Sequence, residues 1–263
     1  MAINFEQFEQ QVFLNTVLIH NLDDQEFGTG FLLQKKVSET QTKHLLFSNK
    51  HVFWGKKDKN NPICKKTIKI TVHTQESGKT FGVTKIFNIP IERGQAGYWE
   101  HPDPEVDVAC LNISELYNLA ALSMRSADQS FFDLNLDEVP CGDRIVFIGY
   151  PKGFFDKQNF LPIMRTGFIA SIPAVDFNGK KQILIDAEVF PGSSGSPVFV
   201  SHKGQYKLLG IVSEAAIDGL DYVKIDNAID SSTPAPAKSF PVQFLGIGIV
   251  FKSSAIKEVY DVT

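Results

Sequence analysis

Cysteine is scarce in this chain: three in 263 residues, Cys64, Cys110 and Cys141. None forms a C-x-x-C pair, so zinc-binding and thioredoxin-like readings find no support. Cys110 sits in an apolar run and reads as a small core residue. So few thiols fit a reducing, intracellular setting, and a cytoplasmic location is expected. Excess positive charge is also missing, with 26 Lys and Arg against 30 Asp and Glu and a net charge of −4. A nucleic-acid partner held by phosphate neutralisation is therefore not expected, and the short basic stretch Lys56-Lys57-Asp58-Lys59 reads as loop decoration. No apolar run approaches the roughly 20 residues that cross a bilayer. The opening MAINFEQFEQQ has no basic segment followed by an apolar one. Neither membrane association nor a signal peptide is expected. Internal repeats at solenoid periods are absent, and no clustered ligand set calls for a metal.

What the chain does have is ordinary globular composition, 43% hydrophobic and 21% charged. Its length suits one large domain or two small ones. Short runs rich in Val, Ile, Phe and Thr recur between Gly, Pro, Asn, Asp or Lys clusters, which is strand texture. The first half holds runs at 15–22, 30–35, 44–48, 67–74, 80–88 and 106–113, and the second at 144–150, 163–171, 182–187, 196–200, 207–213 and 246–251. Residues 5–14 and 114–124 have helical spacing, and 253–260 begins with Ser253 as an expected cap for a short helix. Twelve short strands with few helices predict an all-β sandwich or a pair of barrels. The Ser/Thr/Pro/Ala cluster within 218–241 reads as a mobile loop.

The sharpest chemical signal is Pro191-Gly192-Ser193-Ser194-Gly195-Ser196-Pro197, set between two apolar runs. Acyl transfer needs a serine oxygen exposed on a tight turn, with backbone N–H groups facing the developing oxyanion. Glycine permits the dihedrals that turn those groups inward. Two other segments add to it. Leu45-Leu46-Phe47-Ser48-Asn49-Lys50-His51-Val52-Phe53 ends an apolar strand in a polar step and then a histidine, a pattern that the other five histidines lack. Glu105-Val106-Asp107-Val108-Ala109-Cys110-Leu111 places an acid at the start of an apolar strand. Burial there would hold the carboxylate against a partner such as that histidine. Asp103 in the Pro-rich loop His101-Pro102-Asp103-Pro104 is a competing acid, but Asp107, leading the strand, fits better.

These pieces resemble the chymotrypsin-like (trypsin-like) serine proteases, especially the bacterial branch that includes the HtrA/Deg enzymes. The matching segments are Gly28-Thr29-Gly30-Phe31, the His51 and Asp107 segments, Phe147–Pro151, Arg165–Ser171, Asp186–Phe199, Leu208–Glu214 and Gly246–Phe251, in the family's order over about residues 15–260. The resemblance implies two six-stranded antiparallel β-barrels with a short C-terminal helix. Residues 1–115 would hold the first barrel, 116–140 the connection and 141–263 the second barrel and helix. It also implies a triad of Ser194 as nucleophile, His51 as general base then acid, and Asp107 as the group that orients the imidazole. The N–H groups of Gly192 and Ser194 would form the oxyanion hole. Ser193 stands where digestive relatives have Asp and HtrA-type ones Asn, so activation through a salt bridge to a new N-terminus is not expected. Ser196 replaces a usual Gly. A PDZ module after the last strand is not expected, nor an HtrA-type trimer or hexamer.

By the same resemblance, Glu188, Ser213, Glu214 and Ala215 contribute to substrate binding. Glu188 would floor the pocket and favour Lys or Arg at P1 by charge pairing, unless it points to solvent as most Glu do. Ser213 would hydrogen-bond toward Asp107. The expected activity is that of a serine endopeptidase on protein or peptide substrates, controlled by a partner or by ordering of the 218–241 loop. Neither a metal nor a cofactor is expected. The alternative is a catalytically silent binding module on the same fold.

Overall fold

Apolar runs without strict alternation predict strands buried on both faces, and the architecture supplies the two faces. The computed structural model describes residues 5–56, 58, 61, 64–74, 83–120, 129–217 and 244–263. After helix α1 (Phe5–Asn15) come β1 (Thr16–Asn21), β2 (Glu26–Lys36), β3 (Thr42–Ser48), the short helix α2 (Lys50–Trp54), β4 (Lys65–His73), β5 (Thr84–Glu92), β6 (Tyr98–Glu100), β7 (Ala109–Asn112) and α3 (Ser114–Ala120). The second half holds β8 (Arg144–Gly149), β9 (Ile163–Ile169), β10 (Gln182–Asp186), β11 (Pro197–His202), β12 (Gln205–Ile217), β13 (Phe244–Lys252) and α4 (Ser253–Val262). The expected loop within 218–241, the end of the helical pattern at 121–124, and Lys57 and Lys59 lie outside the described residues.

The second half closes into a six-stranded barrel in the order β10-β13-β12-β11-β8-β9. The first half is a seven-stranded antiparallel sheet, β5-β4-β1-β2-β3-β7-β6. The all-β, two-sheet class is as expected, and the first half differs in two details. A short strand, β6, extends the sheet beyond β7 through the pairs Tyr98↔Leu111 to Glu100↔Ala109. Among the described residues its edge does not meet β5, whose Pro90 has no N–H to offer a further strand.

Successive residues of one strand feed different cores, because side chains alternate between faces. In β3, Leu46 joins Ile19, Phe53, Trp54 and Ile70 inside the first sheet. Its neighbours Leu45 and Phe47 enter a cluster with Val146, Ile148, Phe199 and Ile211 of the second half. In β8, Ile145 and Phe147 fill the second barrel, while Val146 and Ile148 face the first half. Helix α4 adds Ile256, Val259 and Tyr260 to this shared cluster, and α1 adds Phe8, which stacks on Tyr206 at 4.0 Å.

Ser253 does not cap α4. The cap position is Lys252, with extended backbone and no side-chain cap bond. Lys252 is the last residue of β13, and its Nζ reaches Asp176 Oδ1 at 2.6 Å, so the helix starts directly from the strand.

Three histidines of the first half, His20, His44 and His73, are buried. Burial lowers the pKa of each, helped at His20 by Lys69 and opposed at His73 by the Phe160 carbonyl. Their native pKa values lie below the ordinary value of 6.5, so the unfolded chain binds more protons as the pH falls below it. Stability is then full above that pH and declines as acid is added. The midpoint of thermal unfolding should fall between pH 7.5 and 5 (about neutral to mildly acidic), and His73→Leu should flatten the slope. An unchanged slope in that variant would count against burial of a neutral His73 as the cause.

Candidate active site

His51 reaches its place by a strand, a polar step and one helical turn. Ser48 ends β3, and Asn49, with φ −77° and ψ 150°, leads into α2. Val52, Phe53 and Trp54 bury in the first core and anchor the turn that carries the imidazole. Asp107 lies two residues before β7 and not within a strand, and its carbonyl accepts from Asn49 Nδ2 at 2.6 Å. The His51 backbone N–H donates to Asp107 Oδ1 at 3.1 Å, and His51 Nδ1 lies 2.6 Å from Oδ2. A buried carboxylate needs such donors. With Asp107 ionised, Nδ1 is the protonated nitrogen and Nε2 keeps its lone pair.

The loop before Asp107 is tied down as well. Lys50 Nζ donates to the carbonyls of His101 (2.9 Å) and Asp103 (3.1 Å). His101 Nε2 pairs with Glu258 Oε2 of α4 at 2.8 Å, and its Nδ1 accepts from the Asp103 N–H. Asp103, the competing acid, is exposed and accepts from the Glu105 N–H within its own turn.

The serine segment folds as two successive turns. Ser193 N–H donates to Phe190 O at 2.9 Å, with Pro191 and Gly192 (φ +90°) between them. Ser196 N–H donates to Ser193 O at 2.9 Å, with Ser194 and Gly195 (φ +84°) between them. A positive φ at the third position is the mark of a type II turn and selects glycine. Space imposes the same choice: a Cβ on Gly192 would lie 2.5 Å from Tyr150 O, and one on Gly195 would lie 1.8 Å from Thr29 O. Gly195 N–H and Ser196 O bond to Val212, which fastens the segment to β12. Neither Gly192 N–H nor Ser194 N–H has a protein acceptor among the described residues.

Strand β2 links the serine segment to His51. The Cβ position of Gly28 lies 2.5 Å from Val52, next to His51, and the Thr29 N–H donates to Ser194 O at 2.8 Å. Ser194 Oγ donates to the Ser213 carbonyl at 2.7 Å and makes no hydrogen bond to His51.

Two expectations from the sequence need correction. Glu188 is not a buried pocket floor, because its side chain is 69% exposed. Arg165, held over the rings of Phe147 and Phe190 at 5.3 and 5.0 Å, bonds the Glu188 carbonyl and faces its carboxylate. The buried position goes to the next residue, Val189, in the second core. The hydroxyl of Ser213 is buried but does not bond Asp107, whose oxygens are taken by His51. The backbones of Glu214 and Ala215 pair with Ile249 and Gly248, and their side chains lie outside the described residues.

Asn49, Lys50 and Thr29 belong to the site although no motif in the sequence marks them as site residues. The signal for the first two was available: two polar residues between an apolar strand and a histidine must be satisfied if buried. Among the described residues, no group of three His, Cys, Asp or Glu side chains could hold a metal ion. No helix among them is long and apolar enough to cross a membrane.

Known structures share this architecture. The inactive form of a serine-to-alanine mutant of Rv3671c from M. tuberculosis H37Rv aligns with a TM-score of 0.50 and 18% identity, over 99% of this chain and 91% of that one. The HtrA-type protease AlgW, solved with a tripeptide, gives 0.53 and 18% over 98% of this chain and 63% of that one. Human heparin binding protein gives 0.53 and 11% over 97% and 92%. At these identities the likeness speaks for the fold alone. No curated protein matches the sequence. The family described as Trypsin-like peptidase domain matches residues 28–211, a span that includes His51, Asp107 and Ser194, and the chain belongs to that family.

Proposed function

We propose that this chain is a serine endopeptidase acting through Ser194, His51 and Asp107. The observation that carries the reading is the paired contact of His51 with Asp107, at 3.1 Å from the backbone and 2.6 Å from the ring. That pairing fixes the ring orientation and leaves Nε2 as the free base.

The reaction needs one prior motion. Ser194 Oγ leaves the Ser213 carbonyl by rotation about χ1 and turns toward His51. Its proton passes to Nε2 as Oγ bonds the substrate carbonyl carbon. Negative charge collects on the carbonyl oxygen, and the N–H groups of Gly192 and Ser194 are the donors free to receive it. The imidazolium, stabilised by Asp107, then gives its proton to the leaving amine as the C–N bond breaks. Water, deprotonated by His51, attacks the acyl ester, and Oγ leaves with the returned proton. The chain's own groups supply the acid, base and oxyanion donors. The substrate is a protein or peptide, with the edge of β12 at Ser213, Glu214 and Ala215 as one wall of its site. An intracellular setting with control by a partner protein accompanies this reading, since an active endopeptidase there must be restrained.

One observation favours a second reading, a catalytically silent binding module: Ser194 Oγ rests on Ser213 and not on His51. A fluorophosphonate probe separates the two. The expected result is labelling of the wild type that Ser194→Ala and His51→Ala both abolish. A folded wild type that stays unlabelled supports the binding module. Asp107→Asn should keep the fold and lower kcat by about 10⁴-fold, because the imidazole tautomer is no longer set. Because Glu188 is exposed, Glu188→Ala should leave the P1 profile of a peptide library unchanged.

A further inference from the structure

The Gly192 and Ser194 N–H groups, which have no protein acceptor among the described residues, must be held in place by something other than their own hydrogen bonds. A trans peptide is planar, so the direction of each N–H is fixed by whatever holds the carbonyl on the same unit. For Ser194 N–H that carbonyl is Ser193 O, held by Ser196 N–H within the second turn. For Gly192 N–H it is Pro191 O, held at 2.6 Å by the N–H of Lys152. The Pro191–Gly192 peptide is the vulnerable one. It is the central unit of a type II turn, and its rotation converts type II to type I and reverses the Gly192 N–H.

Both sides of that peptide lead to one side chain. Thr29 Oγ1 donates to Gly192 O at 2.8 Å, on the far side of Gly192. It accepts at 3.0 Å from the N–H of Tyr150, at the start of the segment that supplies Lys152. The Thr29 main chain completes the hold: its N–H donates to Ser194 O, and its carbonyl accepts from Ser48 Oγ at 2.6 Å, three residues before His51. Thr29 is fully buried in β2; its partners lie in β3, in the glycine turns themselves and, for Tyr150, directly after β8.

We infer that Thr29 is a positioning residue whose hydroxyl holds the Gly192 N–H toward the reacting carbonyl. This rests on the serine endopeptidase reading for its catalytic consequence, but the hold on the turn does not. No charged group is needed for it, which suits a serine at position 193. Without the hydroxyl, Gly192 O and Tyr150 N–H lose a buried partner, and the turn is held on one side only, by Lys152 N–H on Pro191 O.

The test compares Thr29→Val, of nearly equal shape, with Thr29→Ser, which keeps the hydroxyl. In the full chain, Thr29→Val should lower kcat on a peptide ester by about 30- to 100-fold with KM within about threefold, since a displaced oxyanion donor costs the transition state and not the bound substrate. Thr29→Ser should stay within about threefold of wild type in both. Amide hydrogen exchange across residues 189–197 should accelerate in Thr29→Val and not in Thr29→Ser. Thr29→Val turning over like wild type, or Thr29→Ser impaired to the same degree as Thr29→Val, would overturn the inference. If the wild type shows no Ser194-dependent turnover, the endopeptidase reading fails and hydrogen exchange alone decides: acceleration confined to Thr29→Val supports the hold, and equal exchange in all three chains overturns it. Should Thr29→Val not fold, Thr29→Ala carries the same comparison.

Discussion

Everything at the site depends on the apolar seam between the two halves. His51 and Asp107 come from the first half and Ser194 from the second, far apart in sequence. What sets their relation is packing of Phe31, Leu33, Leu45, Phe47, Val108 and Cys110 against Val146, Ile148, Phe199, Leu208, Ile211 and Phe251. Each large side chain buried this way is worth about 1.5–3 kcal/mol. A neutral hydrogen bond nets about 0.5–1.5 kcal/mol. The seam therefore decides where the halves sit, and the hydrogen bonds across it decide only how groups are aimed once they are there.

The polar groups near the site follow from that burial. Asp107 is held away from water and both its oxygens meet donors of His51. Taking away the His51 donors leaves a buried carboxylate short of hydrogen bonds, at a cost of about 1–3 kcal/mol or more. The two residues are thus coupled in stability as well as in any chemistry. Lys50 and Asn49 extend the same logic into the loop, bonding carbonyls of His101, Asp103 and Asp107. The acid is placed by three side chains that arrive together on one short stretch after β3.

Most strands were legible because their burial on two faces leaves long apolar runs that no loop would carry. Strand β6 was not, because Tyr98, Trp99 and Glu100 are too few to show a period. The two glycine turns were legible, since Pro-Gly and Ser-Gly at those spacings admit few other conformations. Side-chain direction was the illegible part. Whether Glu188 or Val189 turns inward is set by Arg165, some twenty residues away in sequence and stacked on two rings. Whether the hydroxyl or the carbonyl of Ser213 meets the Ser194 hydroxyl depends on how β12 bulges between Val212 and Glu214. Thr29 hid for a related reason: a threonine in a strand is ordinary, and its partners lie more than a hundred residues away in sequence.

The alternation within β3 and β8 has an evolutionary side. Leu46 and Ile145 answer to the interior of their own half, whereas Leu45, Phe47, Val146 and Ile148 answer to the other half. Adjacent codons are thus under different masters. Drift at one set is judged by whether a half still folds, and drift at the other by whether two folded halves still meet at the right angle. A lineage can trade residues in the first set within volume while the two halves keep their relation. It can also shift one half against the other by changing the second set with both interiors left intact.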